Sequence, residues 1–409
     1  MVKKTFKFYL SAFSGFSKEV WWLTLVTFIN RAGTMVIPFL SLYLINHLKF
    51  SLGQVGWIMS CFGLGSFAGS WLGGKLTDKF GFYKVMFVSL LSTGFIFIAL
   101  QFIHSFWGFA IAIFITMCIA DSFRPAIFVA LKAYSKPENQ TRSISLIRMS
   151  INLGFALGPF LGGLVIALVS YRGLFWIDGL TCILAIIIFR FVLKEKKVDK
   201  QTKDAFRLSA NKTRSAFKDK PYLLFLGISF LMSFTFFQLF STIPLFYKEM
   251  HHLNEVAIGL LMSINGALIF MVEMPIIHFL ERRAFNQVKL ILLSLLLIAT
   301  SYFILIITNW SGILIISMIV ITIAEMSGFP FSNVFALKRA PEGREGQYMA
   351  LFTMSFAASM IFSSKIGMEI VELYGFTANW IFMGGLDLLA FLLGIWLIRV
   401  LRNQSLKAY

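Results

Sequence analysis

Charge is scarce in this chain. Only 14% of its 409 residues are Asp, Glu, Lys or Arg, against roughly 25% in an average soluble domain. A water-soluble fold of this length has no polar surface to draw on here. Acidic residues are scarcest: 19 Asp and Glu stand against 37 Lys and Arg, for a formal net charge of +18. Five His and three Cys complete a thin stock of reactive side chains. Cys61, Cys118 and Cys182 lie inside apolar runs without zinc-type spacing, so neither a disulfide framework nor a metal site is indicated. There is no H-E-x-x-H and no P-loop, which excludes zinc-peptidase chemistry and ATP-driven work by this chain alone. No cofactor is implied.

What the chain has in quantity is hydrocarbon. Residues of the AVILMFWYC type make up 58%, with 47 Phe, and the mean hydropathy is +0.80. A bilayer-spanning helix needs about 20 mostly apolar residues. Twelve such runs stand at 20–46, 54–77, 84–103, 106–133, 142–170, 172–193, 221–249, 255–280, 288–308, 311–338, 346–373 and 377–399. The expected class is therefore an all-α, multi-pass membrane protein. Residues 1–20 carry Lys3, Lys4, Lys7 and Lys18 without a long apolar core or cleavage site, and are expected to be a retained cytoplasmic lead-in.

The central segment 194–220 is polar and basic and divides the chain into an N-terminal six-helix bundle (1–193), a cytoplasmic loop (194–220) and a C-terminal six-helix bundle (221–409). Alternate connections then share one side of the membrane. One side holds 31 Lys and Arg; the other holds only Lys49, Arg172 and Lys248. By the positive-inside rule both termini are expected in the cytoplasm. The basic excess faces anionic lipid in this reading, and nucleic acid is not an expected partner.

The two bundles repeat each other. Pro38 matches Pro244, and Gly56, Met59 and Ser60 match Gly259, Met262 and Ser263. Ile119-Ala120-Asp121 matches Ile323-Ala324-Glu325, and Ala130-Leu131-Lys132 matches Ala336-Leu337-Lys338. In the loop after the second span of each half, Asp78 stands opposite Glu281. Parallel repeats imply a pseudo-twofold axis along the membrane normal and a binding cleft between the halves near mid-bilayer.

Three motifs carry a family resemblance. Gly74-Lys75-Leu76-Thr77-Asp78-Lys79-Phe80-Gly81 follows the second span, with Gly74 expected at a close helix approach and Gly81 at a tight turn. Gly154-Phe155-Ala156-Leu157-Gly158-Pro159-Phe160-Leu161-Gly162-Gly163 lies in the fifth span and combines a proline kink with glycines four apart. Asp121-Ser122-Phe123-Arg124-Pro125 places an arginine in the fourth. With twelve spans in a 6+6 repeat, these segments resemble motifs A, C and B of the major facilitator superfamily, most closely its drug:proton antiporter branch. Phe82 and Tyr83 stand where motif A is usually basic. The resemblance implies a rocking transporter that works as a monomer. Gly74, Asp78, Lys79 and Gly81 would latch its outward-facing state, and Gly154, Gly158, Pro159 and Gly162 would form a flexible seam.

Charges inside spans are few and mark working positions. Arg31, Asp121, Arg124, Glu273 and Glu325 are the candidates for proton coupling. A buried carboxyl that gains or loses an arginine partner can bind and release a proton in each cycle. Asp178 and Asp387 are less central, and Lys365 with Glu369 is expected to be a local helix pair. In the family, spans 1, 4, 7 and 10 line the cavity, which selects Asn30, Arg31, Met35, Phe234, Gln238, Glu325 and Phe329 as its wall. The expected function is proton-coupled export of lipophilic or cationic small molecules across the cell membrane, with protons, the cargo and lipid as partners. The alternatives are a proton-coupled symporter of a peptide or sugar, or a lipid flippase.

Overall fold

The computed structural model describes residues 15–136, 140–195, 216–282, 286–308, 310–341 and 345–406. The side chains of Asp78, Lys132 and a few other helical residues lie outside the described set, as do most of the lead-in and the central loop. Among the described residues the chain is helical throughout, without strands. The N half comprises α1 (Lys18–His47), α2 (Leu52–Phe80), α3 (Phe82–Leu100), α4 (106–134), α5 (Gln140–Leu168) and α6 (Tyr171–Val192). The C half comprises α7 (Lys220–Glu249), α8 (Glu255–Arg282), α9 (Gln287–Ile307), α10 (Gly312–Arg339), α11 (345–374) and α12 (376–406). The stretch Glu345–Leu406 is a 62-residue helix, far longer than the ~30 Å hydrocarbon layer needs. Gly375, at φ 83°, turns it back on itself and makes two spans of it.

Local chemistry starts and breaks these helices. Ser17, Ser105, Ser170 and Asn286 cap α1, α4, α6 and α9 through side-chain oxygens, and Ser51 with Gln54 forms a capping box at α2. Gly81, at φ 86°, makes the α2–α3 turn where an L-residue with a side chain would be strained. Three helices break just before a proline, which lacks the N–H its i−4 carbonyl needs. Helix α1 is interrupted ahead of Pro38, α4 hitches at Ser122 ahead of Pro125, and α7 tightens to a 3-10 turn at Phe237–Phe240 ahead of Pro244.

The restart of α1 leaves N–H groups without helical partners. Asp178 of α6 takes them: Met35 N donates to Oδ1 at 2.9 Å and Val36 N to Oδ2 at 2.9 Å. The C half repeats the theme with Asp387 of α12, whose Oδ1 accepts from Thr235 Oγ1 at 2.8 Å beside the α7 break. Asp178→Ala strands the buried Val36 N–H and leaves Met35 N only the Gly33 carbonyl at 2.9 Å, and is expected to destabilise the fold by about 1–3 kcal/mol. Asp178→Asn, which keeps one acceptor oxygen, loses less. Denaturation in detergent micelles checks the order.

The end of the bundle bearing residues 15–17, 135–136, 193–195 and 216–219 is called the basic end below, and its opposite the charge-poor end. At the basic end of the C half, Arg339 grips Asp219 with two 2.8 Å bonds, Nε to Oδ2 and Nη2 to Oδ1, and Tyr348 Oη adds a third at 3.1 Å. Burial pushes the Asp219 carboxyl up, but Arg339, Tyr348 and the Tyr222 N–H outweigh it and hold it below the usual carboxylate range. A carboxyl lowered by folding contributes stability above its unfolded pKa, and that contribution is lost as pH falls through the lower folded value. Melting temperature is therefore expected to fall on acidification in that range, and Arg339→Gln is expected to flatten this part of the profile.

The halves meet along two seams, α2 with α11 and α5 with α8. In the first, Ser60 Oγ donates to Ile361 O at 2.6 Å, and a Cβ on Gly56 or Gly63 would stand 3.0 Å from the α11 backbone. In the second, a Cβ on Gly259 would stand 2.2 Å from Pro159 O, one on Gly266 2.4 Å from Ala156 N, and one on Gly163 2.4 Å from Glu255 O. At the charge-poor end Glu255 Oε1 accepts from Lys248 Nζ at 2.8 Å and from Tyr171 Oη at 2.9 Å, tying α6 to the C half. One apolar cluster runs through the charge-poor end of both halves, from Phe39 and Tyr43 to Phe246 and Trp380. The basic end of the N half, around Val20, Met86, Ile127 and Phe189, is a cluster of its own. Continuous packing thus joins the halves at the charge-poor end.

Candidate functional site

The break in α1 opens a small polar cavity inside the N half. It measures about 40 Å³, and Asn30, Arg31, Thr34, Thr93, Asp121 and Asp178 face it among others. Asn30 Nδ2 donates to Cys182 Sγ at 3.4 Å, and the Arg31 guanidinium stands 5.9 Å from the Phe155 ring centroid. Asp121 is buried, accepts a hydrogen bond from Ser66 Oγ of α2, and lies 3.4 Å from Arg124 Nη2 one turn on. The Arg124 side chain is half-exposed. Arg31 makes no ion pair among the described residues, though Asp121 and Arg124 both lie within electrostatic reach of it.

Glu325 occupies the matching position of α10. It accepts from Asn265 Nδ2 of α8 at 2.8 Å, and the same amide donates to Thr322 Oγ1 at 3.1 Å. The two repeat-related carboxyls therefore each meet the second helix of their own half, α2 for Asp121 and α8 for Glu325. The difference between them is their company: an arginine beside Asp121, a neutral amide beside Glu325. Glu273 bridges the halves, accepting from Arg148 Nη2 at 2.9 Å and from Asn152 Nδ2 at 3.2 Å, both on α5.

Several residues expected to line the cavity take part in packing contacts in this conformation. Gln238 is fully buried, donates to Ser363 O and Ser363 Oγ at 2.8 and 2.9 Å, and accepts from Thr242 Oγ1. Its amide is spent on joining α7 to α11. Met35 is buried at the α1 restart and packs on Gly162, and Phe234 is buried with its carbonyl bonded to Ser363 Oγ. Phe329 is half-buried, its ring 4.9 Å from Phe236 and 5.7 Å from Phe356.

The motif positions divide likewise. Gly74 does not mediate a close approach: a Cβ there would meet nothing within 4 Å. The close contact belongs to Gly73, where a Cβ would stand 2.5 Å from Ser122 Cα. Lys79 is exposed, and the side chain of Asp78 lies outside the described residues. In α5, Gly154 and Gly162 face α1, with a Cβ placed 2.5 Å from Arg31 Cβ and 3.2 Å from Met35 Cβ respectively. Gly158 makes only ordinary contact with Ala32 O, and Pro159 turns its carbonyl to Gly259 of α8. One helix thus carries two glycine faces, one seating the arginine-bearing break of α1 and the other seating the opposite half. Lys365 and Glu369 form the local pair at 3.1 Å. Sequence reading missed Arg148 and Asn152. Their spacing of four on α5 was the available signal, but their partner stands 125 residues away.

Known proteins place this arrangement. The chain is 22% identical over 409 aligned residues to a Na(+), Li(+), K(+)/H(+) antiporter of Planococcus maritimus, covering 92% of this chain and 95% of that one. It is 25% identical over 310 residues to the quinolone resistance protein NorA of Staphylococcus aureus, covering 74% and 77%. The crystal structure of peptide transporter POT in complex with sulfate shares its fold at TM-score 0.76 and 16% identity, over 96% of each chain. The Major Facilitator Superfamily model matches residues 23–364. Twelve spans in two related halves, a cavity at the break of the first helix and this match over most of the chain show that the protein belongs to the Major Facilitator Superfamily, a family of transporters and not of enzymes.

Proposed function

We propose that the chain exports lipophilic or cationic small molecules in exchange for protons, by alternating access, as a monomer in the cell membrane with both termini in the cytoplasm. In that orientation the basic end faces the cytoplasm. The observation that carries the reading is the pair of carboxyls at matching points of α4 and α10. Asp121 has arginine company; Glu325 has an uncharged partner and no cation in ion-pair distance among the described residues. A membrane carboxyl without a counter-cation is suited to taking a proton or a cationic cargo. The names of the antiporter and quinolone-resistance relatives agree with such cargo.

A second reading, proton-coupled uptake of a peptide or sugar, draws on Arg31 within electrostatic reach of Asp121, opposite charges suited to a zwitterion. Thermal shift of the purified protein at two pH values, followed by counterflow in liposomes, separates them. Ethidium and sodium are expected to stabilise the protein and exchange through it, more weakly at acid pH because protons compete. Binding of alanyl-alanine or xylose instead would favour uptake.

A further inference from the structure

We infer that Arg148 is the fixed counter-charge that ties cation or proton uptake at Glu273 to the parting of the two halves, an inference that rests on the proton-coupled reading above. Most of the α5–α8 seam is made by backbone and small side chains: Gly163 on Glu255, Pro159 on Gly259, Ala156 on Gly266, and Phe160 N donating to Ser263 Oγ at 3.0 Å. Toward the basic end the character changes. Arg148 Nη2 and Asn152 Nδ2, one helical turn apart on α5, take both carboxylate oxygens of Glu273. A C-half acid is thus held entirely by N-half donors. Its side chain is only 12% exposed, whereas that of Arg148 is 50% exposed at the edge of the cleft.

The charged groups that face Glu273 among the described side chains are Arg148 from α5 and Glu325 from α10. When α5 and α8 separate, Glu273 loses the arginine and the amide together. A carboxylate is then left beside a second carboxyl, within the membrane. Such a group is retained only with a partner, and with Arg148 withdrawn the available partner is mobile, either a proton or the positive charge of a cargo. Closing the seam reverses the exchange, because Arg148 returns to the oxygens the mobile cation must vacate. One carboxylate alternating between a fixed and a mobile cation makes seam opening and uptake a single linked equilibrium. Arg148 is a positioning residue in this scheme, touching neither cargo nor proton itself.

The test reads conformation in the full chain, apart from transport. Nitroxide labels at Lys136 and Lys338, exposed at the basic ends of the two halves, report the separation by double electron–electron resonance in nanodiscs. Acidification is expected to move the wild-type protein toward the longer distance. R148Q is expected to shift the ratio of the two populations by about fivefold at neutral pH, the scale of a half-exposed ion pair, and to lose most of the acid response. R148K, and the swap R148E with E273R, are expected to keep the neutral-pH distribution, which shows that the variants fold. A wild-type distribution and acid response in R148Q, beside intact proton-linked transport of ethidium or sodium, would overturn the role of Arg148 alone. The expected R148Q shift in a protein that exchanges no protons for either probe would overturn the coupling reading and, with it, the mobile-cation half of this inference.

Discussion

Glu325→Gln is expected to abolish accumulation driven by a pH gradient while leaving counterflow of the same cargo near the wild-type rate. The substitution is nearly isosteric and keeps a carbonyl oxygen to accept from Asn265 Nδ2, so the 2.8 Å contact and the α8–α10 packing survive. What it removes is the titration. Counterflow exchanges cargo for cargo and needs no net proton movement, whereas gradient-driven accumulation does. Each pH unit of gradient supplies about 1.4 kcal/mol per proton, a tenfold accumulation, so the loss is large and easy to read. Asp121→Asn is a weaker discriminator. It removes the negative charge that faces Arg124 at 3.4 Å, so a fall in its activity mixes lost coupling with a disturbed N half. Retention of full accumulation by Glu325→Gln would remove Glu325 from the coupling role and leave Asp121 and Glu273.

Gly266→Val is expected to cut transport by more than tenfold without unfolding either half. Its first side-chain atom would lie 2.4 Å from Ala156 N, a backbone atom of the opposing half. Backbone cannot swing aside as a long side chain can, so relief requires α5 and α8 to separate. Overpacking costs about 1–3 kcal/mol, and the upper half of that range, set by contact with backbone and not with a flexible side chain, depopulates the closed seam by more than tenfold. The closed seam is one of the two states the cycle visits, so turnover falls while each six-helix half keeps its own core. Gly74→Ala is the matched control, because nothing stands within 4 Å of the added atom. Cysteine cross-linking across the charge-poor end separates the two cases: the yield drops in Gly266→Val and holds in Gly74→Ala.

The parts of the molecule legible in the sequence are those written in short-range chemistry. Apolar runs mark the twelve spans to within three residues, save the end of α12, which runs seven residues past 399, because burying an unpaired backbone in hydrocarbon forces continuous helix. The repeat-related prolines at 38 and 244 mark the two broken first helices, since a missing N–H acts locally. The less legible parts depend on contacts between distant segments. Gly73 and Gly74 are indistinguishable in sequence, and only the packing of α2 on α4 shows that the first is pressed against Ser122 and the second is free. Asp178 reads as an ordinary intramembrane acid until the α1 break, more than 140 positions away, is brought under it. Gln238 has the composition of a cavity residue, and its amide goes instead to Ser363. Nothing near Arg148 in sequence indicates that its carboxylate partner lies on α8.

The most direct test of proton-for-cargo exchange uses proteoliposomes with an acidic lumen, a neutral exterior and ethidium outside. The account predicts that ethidium accumulates in the lumen as protons leave, that a protonophore collapses the accumulation, and that protein-free vesicles show none. Ethidium or sodium crossing the membrane at a rate indifferent to the pH gradient, or cargo moving in the same direction as the protons, would contradict it.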